Sequence, residues 1–173
     1  MVVVRRWSAY RAMERPYTRV SKYRNKNYTR GNPQSGITQF VMGNLKKEYS
    51  SRIELLAENN VQIRSLALEA ARQACNRRLD KVVGKENYKM QLVRYPYHIY
   101  RENPLASGAG ADRMSTGMQK AFGKTVGRAL QIKIGQCIVR VEVDKQNIKT
   151  AKDALRIAGH RLPMTCSIKV VRE

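Results

Sequence analysis

Apolar residues follow a regular period only from about residue 52 onward, which limits where this chain can form a hydrophobic core. The segment "RIELLAE" alternates, with Ile53, Leu55 and Ala57 on one side, and such alternation predicts a half-buried strand. Residues 1–50 show no sustained period of 2 or 3.6. We therefore predict a basic N-terminal arm over residues 1–50, followed by one domain over residues 51–173.

A helix is predicted from Val61 to Gly84, where glycine is a common C-terminal cap. Asn59 and Asn60 precede it and are candidate N-caps. Five apolar residues form its inner stripe at helical spacing: Leu68, Ala71, Cys75, Leu79 and Val82. Four cations occupy the opposite side: Arg64, Arg72, Arg77 and Lys81.

Further strands and one more helix follow. The segments "YKMQLVR", "YHIYRE", "KTVGRALQI" and "QCIVRVEV" predict four strands, the last two joined near Gly135, and "TCSIKVV" predicts a final strand. Asp144 or Asn147 opens the second predicted helix and Gly159 ends it. Its predicted buried side contains Ile148, Ala151, Leu155 and Ala158. Because strands outnumber helices without strict alternation, the fold class is α+β, with two helices packed on one face of a mixed or antiparallel sheet.

The arm combines cations with aromatic rings. Its cations are Arg5, Arg6, Arg11, Arg15, Arg19, Lys22, Arg24, Lys26, Arg30, Lys46 and Lys47. Its large aromatics are Trp7, Tyr10, Tyr17, Tyr23 and Tyr28. Cations neutralise phosphates and rings stack on bases, so this composition indicates RNA binding. The alternative is a solvated, disordered tail, because such a segment cannot bury enough surface to fold alone.

The charge of the whole chain agrees with a nucleic-acid partner. There are 34 Lys and Arg against 13 Asp and Glu, a formal net charge of +21. Such a chain repels itself unless an anionic partner is present. No apolar run is long enough for a transmembrane helix, and "MVVVRRW" is too short for a secretory signal. An anionic membrane surface is the second candidate partner, but such a protein would show one amphipathic basic helix, whereas the cations here are spread from end to end, so no membrane partner is predicted.

The residues needed for catalysis or metal binding do not occur in a suitable pattern. Cys75, Cys137 and Cys166 are far apart and form no C-x-x-C pair, which indicates buried thiols in a reducing cytoplasm. His98 and His160 lack an adjacent nucleophile, and His98 in "YPYHIY" is predicted to be packed or stacked. We predict no catalytic residue, no metal site and no cofactor.

One long stretch contains only small or uncharged residues. The run Leu105–Ala111 holds nothing larger than leucine, and "SGAGAD" lacks the spacing of a Walker or dinucleotide loop. Gly108 and Gly110 permit positive φ and close backbone approach. Cations flank this stretch: Arg94, Arg101, Arg113, Lys120, Lys124 and Arg128. This pattern indicates a loop that is inserted into a crowded, anionic place.

Four segments carry a resemblance to a known family. "ERPYTR", "LEAARQACNRRL", "HIYREN" and above all "GAGADRMSTGMQKAFGKTVGRA" closely resemble the L10e family of archaeal and eukaryotic large-subunit ribosomal proteins, the counterpart of bacterial L16. The resemblance extends from about Tyr10 to Val171, and its most specific part is Gly108–Lys124. The chain ends at Glu173 without the C-terminal extension of eukaryotic members, so we expect an archaeal source.

The resemblance implies a cytoplasmic structural constituent of the large subunit that functions in translation. Its implied partners are 23S-type rRNA between the central protuberance and the tRNA channel, the nearby 5S rRNA region, A- and P-site tRNA and neighbouring ribosomal proteins. The family's loop, here about 102–115, projects toward the peptidyl-transferase centre and helps to position tRNA. Arg101, Asp112 and Arg113 match the loop motif, while Lys120, Lys124 and Arg128 match its basic return.

The residues expected at these surfaces form two sets. The tRNA-facing set is Arg101, Glu102, Ser107, Gly108, Ala109, Gly110, Ala111, Asp112 and Arg113. The rRNA-binding set is Arg5, Arg6, Arg11, Arg15, Arg19, Lys22, Arg24, Arg30, Lys46, Lys47, Arg64, Arg72, Arg94, Lys120, Lys124 and Arg128.

Two other functions compete with the ribosomal one. An RNA-modifying enzyme would need an acid, base or metal arrangement, and a stand-alone double-stranded RNA module would not need the aromatic arm or the long loop.

Overall fold

A computed structural model describes residues 5–13, 21–29, 31–103, 108–110, 117–120 and 122–172. The described strands are β1 Val41–Gly43, β2 Ser51–Ala57, β3 Val61–Arg64, β4 Tyr88–Leu92, β5 His98–Glu102, β6 Lys124–Ile132, β7 Cys137–Val143 and β8 Cys166–Arg172. The described helices are α1 Ser65–Val82 and α2 Ile148–Gly159. Short 3-10 turns lie at Trp7–Tyr10, Arg24–Lys26, Met118–Lys120 and Lys145–Asn147.

The strands form two antiparallel sheets. The larger has the order β1-β4-β7-β2-β8, and the smaller has the order β3-β6-β5. Strand β2 is buried at every second residue, as "RIELLAE" predicted, because one face of the sheet covers the core and the other does not. Strands β6 and β7 are consecutive along the chain, yet they lie in different sheets, and the turn at Gly135 separates them.

Both helices pack on the buried face of the larger sheet and against each other. Helix α1 contributes Leu68, Ala71, Cys75 and Leu79 to the core, as the stripe predicted. Helix α2 contributes Ala151, Ala154, Leu155 and Ala158. The predicted α+β class with two helices is thus confirmed, and its strands are divided between two sheets.

The opposite face of the larger sheet carries cross-strand ion pairs. Arg140 Nε lies 2.9 Å from Glu54 Oε1, and Lys89 Nζ lies 3.0 Å from Glu142 Oε2. Arg52 approaches the same Glu142 carboxylate at 3.4 Å. These side chains stand opposite one another in the antiparallel register, so opposite charges meet directly across the strands.

Two predictions about the start of α1 are wrong. Val61–Arg64 is a strand paired with β6, and the helix begins only at Ser65. The asparagines do not cap it, because Asn59 Nδ2 donates to Thr165 Oγ1 at 2.9 Å and Asn60 Oδ1 accepts from the Ile134 amide at 2.9 Å. Tertiary pairing with β6 therefore overrides the local helical signal.

The end of α1 also differs by one residue. Val82 is exposed, whereas Val83 is buried in the core. Val83 follows Leu79 by four residues and lies on the same inner face of the helix, whereas Val82 follows it by three and points away from the core. Gly84 ends the helix at φ 85°, with its amide donating to the Leu79 carbonyl, as predicted.

Parts of the predicted arm belong to the folded core. Val41–Gly43 adds strand β1 to the edge of the larger sheet, although the sequence predicted no strand before residue 51. Ile37 lies in the main core, and Tyr10 packs in a second small cluster with Tyr100 and Ala129. These contacts show that apolar residues without a regular period can still be buried on an existing surface.

Candidate nucleic-acid interface

Strands β5 and β6 form a hairpin whose connection contains the small-residue loop. Glu102 pairs with Lys124 at the end of the ladder, so residues 103–123 form the connection. The two stems meet closely at Gly123, where φ is +77° and an added Cβ would lie 2.7 Å from the backbone carbonyl of Glu102. Only glycine fits this approach without a backbone shift.

The foot of this loop is held by the N-terminal segment. Tyr10 Oη donates to Glu102 Oε2 at 2.5 Å, and Arg5 Nε lies 2.7 Å from Glu102 Oε1. The Glu102 side chain is only 7% exposed, although the family resemblance implied a tRNA-facing position for it. Its carboxylate is therefore engaged inside the protein at the loop's base.

The glycines of the loop adopt the backbone predicted for them. Gly108 has φ +107° and Gly110 has φ +92°, and among the described residues nothing lies within 4 Å of a Cβ added at either one. Ala109 between them is exposed. The other expected residues of this loop, Ser107, Ala111, Asp112 and Arg113, lie outside the described residues and stay predictions.

Two expected RNA ligands instead fasten the arm to the hairpin. Arg101 donates to the Tyr28 carbonyl at 2.7 Å, and its guanidinium lies 4.3 Å from the Phe122 ring centroid. Arg128 donates to the Pro33 carbonyl at 2.8 Å and to Asn32 at 2.9 Å. Both guanidinium groups thus satisfy backbone carbonyls where the arm crosses the hairpin.

Three more expected ligands have partners within the protein. Arg64 lies in β3 rather than on the helix; it donates to the Arg5 carbonyl at 3.3 Å and stacks 5.5 Å from Tyr10. Arg72 pairs with Glu69 at 2.5 Å. Lys47 pairs with Asp144 at 2.7 Å, and this bond raises the lysine pKa. These contacts reduce what the three cations can offer to phosphate.

Most of the remaining expected cations are exposed. Exposed side chains among them are Arg6, Arg11, Lys22, Arg24, Lys46, Arg94 and Lys124. Arg11 lies 5.1 Å from the Trp7 ring, and Lys26 lies 5.1 Å from the Tyr23 ring, so cations and rings interleave in space as they do in sequence. Arg15, Arg19 and Arg30 lie outside the described residues, as does the side chain of Lys120.

The two exposed rings that follow Arg94 were not predicted from the sequence. Tyr95 and Tyr97 line a groove of about 530 Å³ beside Lys133 and Gln136. The signal was present in "VRYPYH", where tyrosines alternate with a proline and follow a cation. The same residues also fit the segment that leads into strand β5, and under that interpretation exposed rings were not expected.

The cysteines behave as packed groups. All three are free; Cys75 is buried and the other two are half-buried. Burial raises the pKa of Cys75 to about 12 and of Cys137 and Cys166 to about 11, so all three stay protonated near neutral pH. Among the described residues, no group of His, Cys, Asp or Glu is arranged to hold a metal ion. In the same residues, no helix has the length and apolar character needed to cross a membrane.

Comparisons with known proteins identify the family of this chain. The profile of the ribosomal protein L16p/L10e family matches residues 14–169. "Large ribosomal subunit protein uL16" of Picrophilus torridus is 44% identical over 160 residues, covering 91% of each chain. The proteins of the same name from Archaeoglobus fulgidus and Nanoarchaeum equitans are 43% and 42% identical, covering 93% and 94% of this chain and 89% and 90% of theirs. The chain therefore belongs to the L16p/L10e family of ribosomal proteins, which are structural components and not enzymes.

Proposed function

We propose that this protein is a structural constituent of the large ribosomal subunit in the cytoplasm. It binds 23S-type rRNA between the central protuberance and the tRNA channel, with the 5S rRNA region and other ribosomal proteins nearby. The β5–β6 loop faces A- and P-site tRNA and helps to position it. The names of the archaeal relatives support the subunit assignment.

The observation that carries the proposal is the contrast between the foot of the loop and its glycines. The Glu102 side chain is only 7% exposed and is bonded to both Tyr10 and Arg5, and Gly123 lies against the opposite stem. Gly108 and Gly110 hold positive φ, and among the described residues nothing lies within 4 Å of a Cβ added at either one. A fixed foot holds the loop in place, and a loop with small residues can enter a site crowded with RNA backbone.

The arm is proposed to supply much of the rRNA affinity. Its exposed cations lie next to exposed aromatic rings, and the chain carries a large excess of positive charge. Phosphate neutralisation and base stacking together suit folded rRNA with unpaired nucleotides. In this proposal the exposed cations and rings within residues 1–50 act as an RNA-binding arm, while residues 51–173, together with β1 and Ile37, form the domain that presents the loop.

The proposal is tested with large subunits reconstituted from components that lack the native protein. Added variants are the wild type, a deletion of residues 107–111, Gly110→Val and Gly84→Val. Gly84 is the matched control, because its φ of +85° resembles that of Gly110 and the nearest described atom, Asn87 Nδ2, is 3.9 Å from a Cβ added there, but it lies at the end of helix α1. Sedimentation measures incorporation, and separate assays measure tRNA binding and peptide-bond formation.

We expect all four proteins to enter the subunit, because none of the changes falls on a residue of the described core. Subunits with the deletion or Gly110→Val should bind tRNA and form peptide bonds more slowly, while Gly84→Val should match the wild type. If subunits with the deletion variant bind tRNA and form peptide bonds at the wild-type rate, the proposed role of the loop in positioning tRNA is contradicted. Failure of the wild-type chain to sediment with large subunits would contradict the subunit assignment itself.

A further inference from the structure

A groove lies at the end of the smaller sheet that is opposite the β5–β6 loop. It is bordered by the β4–β5 connection, which carries Arg94, Tyr95 and Tyr97, and by the β6–β7 turn, which carries Lys133 and Gln136. Met13 of the N-terminal segment also lines it. Strand β6 separates the groove from the loop; its nine residues span about 30 Å at ~3.3 Å per residue. The groove is therefore a separate surface and not an extension of the loop.

The two tyrosines are held outward by the backbone between them. Tyr95 is 49% exposed and Tyr97 is 61% exposed, whereas Pro96 and His98 are buried. This alternation places both rings on the outer side of the connection. The Val93 amide donates to the Ile138 carbonyl at 2.9 Å, which anchors the start of the segment.

One ring is also supported from the side. Phe40 meets Tyr95 edge to face with ring centroids 4.6 Å apart. That contact fixes the orientation of the Tyr95 ring, while the residue stays 49% exposed. Aromatic rings on a rigid base lose little conformational entropy when another flat group stacks on them.

The charge around the groove is of one sign. Arg94 and Lys133 are exposed at its border, and the described residues that line it include no aspartate or glutamate. Gln136 Oε1 accepts from the Lys133 amide at 3.1 Å, which fixes its amide plane in the groove wall. The lining thus combines stacking rings, an amide and two cations, a set that recognises the base and the phosphate of an unpaired nucleotide.

We propose that this groove binds an unpaired nucleotide of large-subunit rRNA, as a contact separate from the loop. Tyr97 stacks on the base, Arg94 and Lys133 neutralise the flanking phosphates, and the Gln136 amide contacts the base edge. The proposal rests on the proposed function, because it specifies one further contact of the same protein with rRNA.

The first experiment measures binding of the full-length protein to a 12-nucleotide oligouridylate and to a 12-base-pair RNA duplex. Tyr97→Leu should weaken single-strand binding by roughly fivefold or more, because stacking contributes ~1–3 kcal/mol per base. Duplex binding should change by less than about twofold, since paired bases are not available to the ring. Tyr97→Phe should restore single-strand binding because it keeps the ring.

The salt dependence of RNA binding distinguishes the contribution of the cations from that of ring stacking. Tyr97→Leu should leave the slope of log K against log salt unchanged, whereas Arg94→Gln with Lys133→Gln should reduce it by up to roughly 1.4, or ~0.7 per phosphate contact on single strands. Equal loss of single-strand and duplex binding in Tyr97→Leu, or no loss in either, would overturn the proposal.

The second experiment uses assembled large subunits that carry a photo-crosslinking phenylalanine analogue at position 97. A cross-link to an unpaired rRNA nucleotide supports the proposal. A cross-link to another ribosomal protein, or none to RNA, overturns it. Sedimentation of the same protein with large subunits tests the proposed function independently, so the two failures are distinguishable.

Discussion

The phenolic oxygen of Tyr10 lies 2.5 Å from Oε2 of Glu102, and the two residues are 92 positions apart in the sequence. Burial and, next, the bond to the Glu102 carboxylate raise the pKa of Tyr10, so its hydroxyl stays protonated and donating well above neutral pH. Arg5 binds the other carboxylate oxygen. This contact couples the position of the N-terminal segment to the foot of the β5–β6 loop.

Removing the shared acceptor should cost more than removing one donor. Glu102→Ala leaves Tyr10 Oη buried without its acceptor and should lower the free energy of unfolding by about 1–3 kcal/mol. Tyr10→Phe keeps the ring contact with Tyr100 and should cost about 1 kcal/mol. Urea denaturation measures both, with the exposed Tyr23→Phe as a neutral control. An equal or larger cost for Tyr10→Phe would contradict this assignment of roles.

Gly135 and Gly123 have nearly equal φ, so alanine substitutions at the two positions distinguish the cost of backbone strain from the cost of a steric clash. Gly135→Ala, at φ +79° in open space, should cost about 1–2 kcal/mol from positive φ alone. Gly123→Ala has the same strain at φ +77° and also forces a Cβ against the Glu102 backbone, so its cost should be at least about twice as large. Thermal and urea unfolding of the two variants give the comparison. Equal costs would show that the two stems can separate at Gly123 without penalty.

The Glu69–Arg72 pair should make stability depend on pH in the acid range. The Arg72 guanidinium is the main cause that lowers the pKa of Glu69 below its ordinary value of 4.5. Because the folded-state pKa is the lower one, the stabilisation is present above pH 4.5 and is lost as pH falls through the lowered value. Glu69→Gln should therefore cost about 1 kcal/mol at pH 7 and little at the acid end.

The control for this pair has the same spacing but more exposure. Asp153–Arg156 is also an i,i+3 pair, with side chains 38% and 64% exposed, against 19% and 13% for Glu69 and Arg72. Asp153→Asn should change the free energy of unfolding by less than about 0.5 kcal/mol, because solvent screens exposed pairs. Denaturant titrations from pH 7 to the acid limit of folding test both variants, and parallel curves for Glu69→Gln and wild type would contradict the prediction.

Exposed and internally paired cations should differ in the salt dependence of rRNA binding. Replacing Arg11, Lys22 and Arg24 with glutamine should reduce the slope of log K against log salt by roughly 0.7–0.9 for each phosphate that is no longer neutralised. Arg140→Gln is the control, because Arg140 pairs with Glu54 on the outer face of the larger sheet. Filter binding over a range of salt concentrations measures the slopes. A slope that falls as much for Arg140→Gln would mean that internal pairing does not remove a cation from RNA binding.

Local patterns predicted the elements that their own residues determine. Alternation identified β2, and the stripe from Leu68 to Leu79 identified α1, because each pattern matches one buried face. Val61–Arg64 directly precedes that stripe, and for this reason a helix was predicted there. The prediction was wrong, because these residues pair as a strand. Their actual partner is β6, about 70 residues away, and no local pattern contains that pairing.

The candidate site shows the same division. The positive φ of Gly108 and Gly110 follows from the residue type, so the sequence predicted it. The internal partners of Arg101 and Arg128 are backbone carbonyls at Tyr28 and Pro33, and a carbonyl has no signature in the sequence. Cations that hold the arm in place therefore could not be distinguished from cations that face solvent until the chain was folded.

The strand order of the larger sheet also has a consequence for synthesis. Strand β2 is paired on both edges, and both of its neighbours, β7 and β8, lie at least 80 residues further along the chain. At roughly 5–20 residues per second, both edges of β2 stay without their native strand partners for about 4–16 s, until β7 is synthesised. During that interval a strongly basic nascent chain has an unpaired hydrophobic strand. Early shielding of this strand, by a chaperone or by rapid delivery to an assembly partner, is therefore a condition for a good yield of the folded protein.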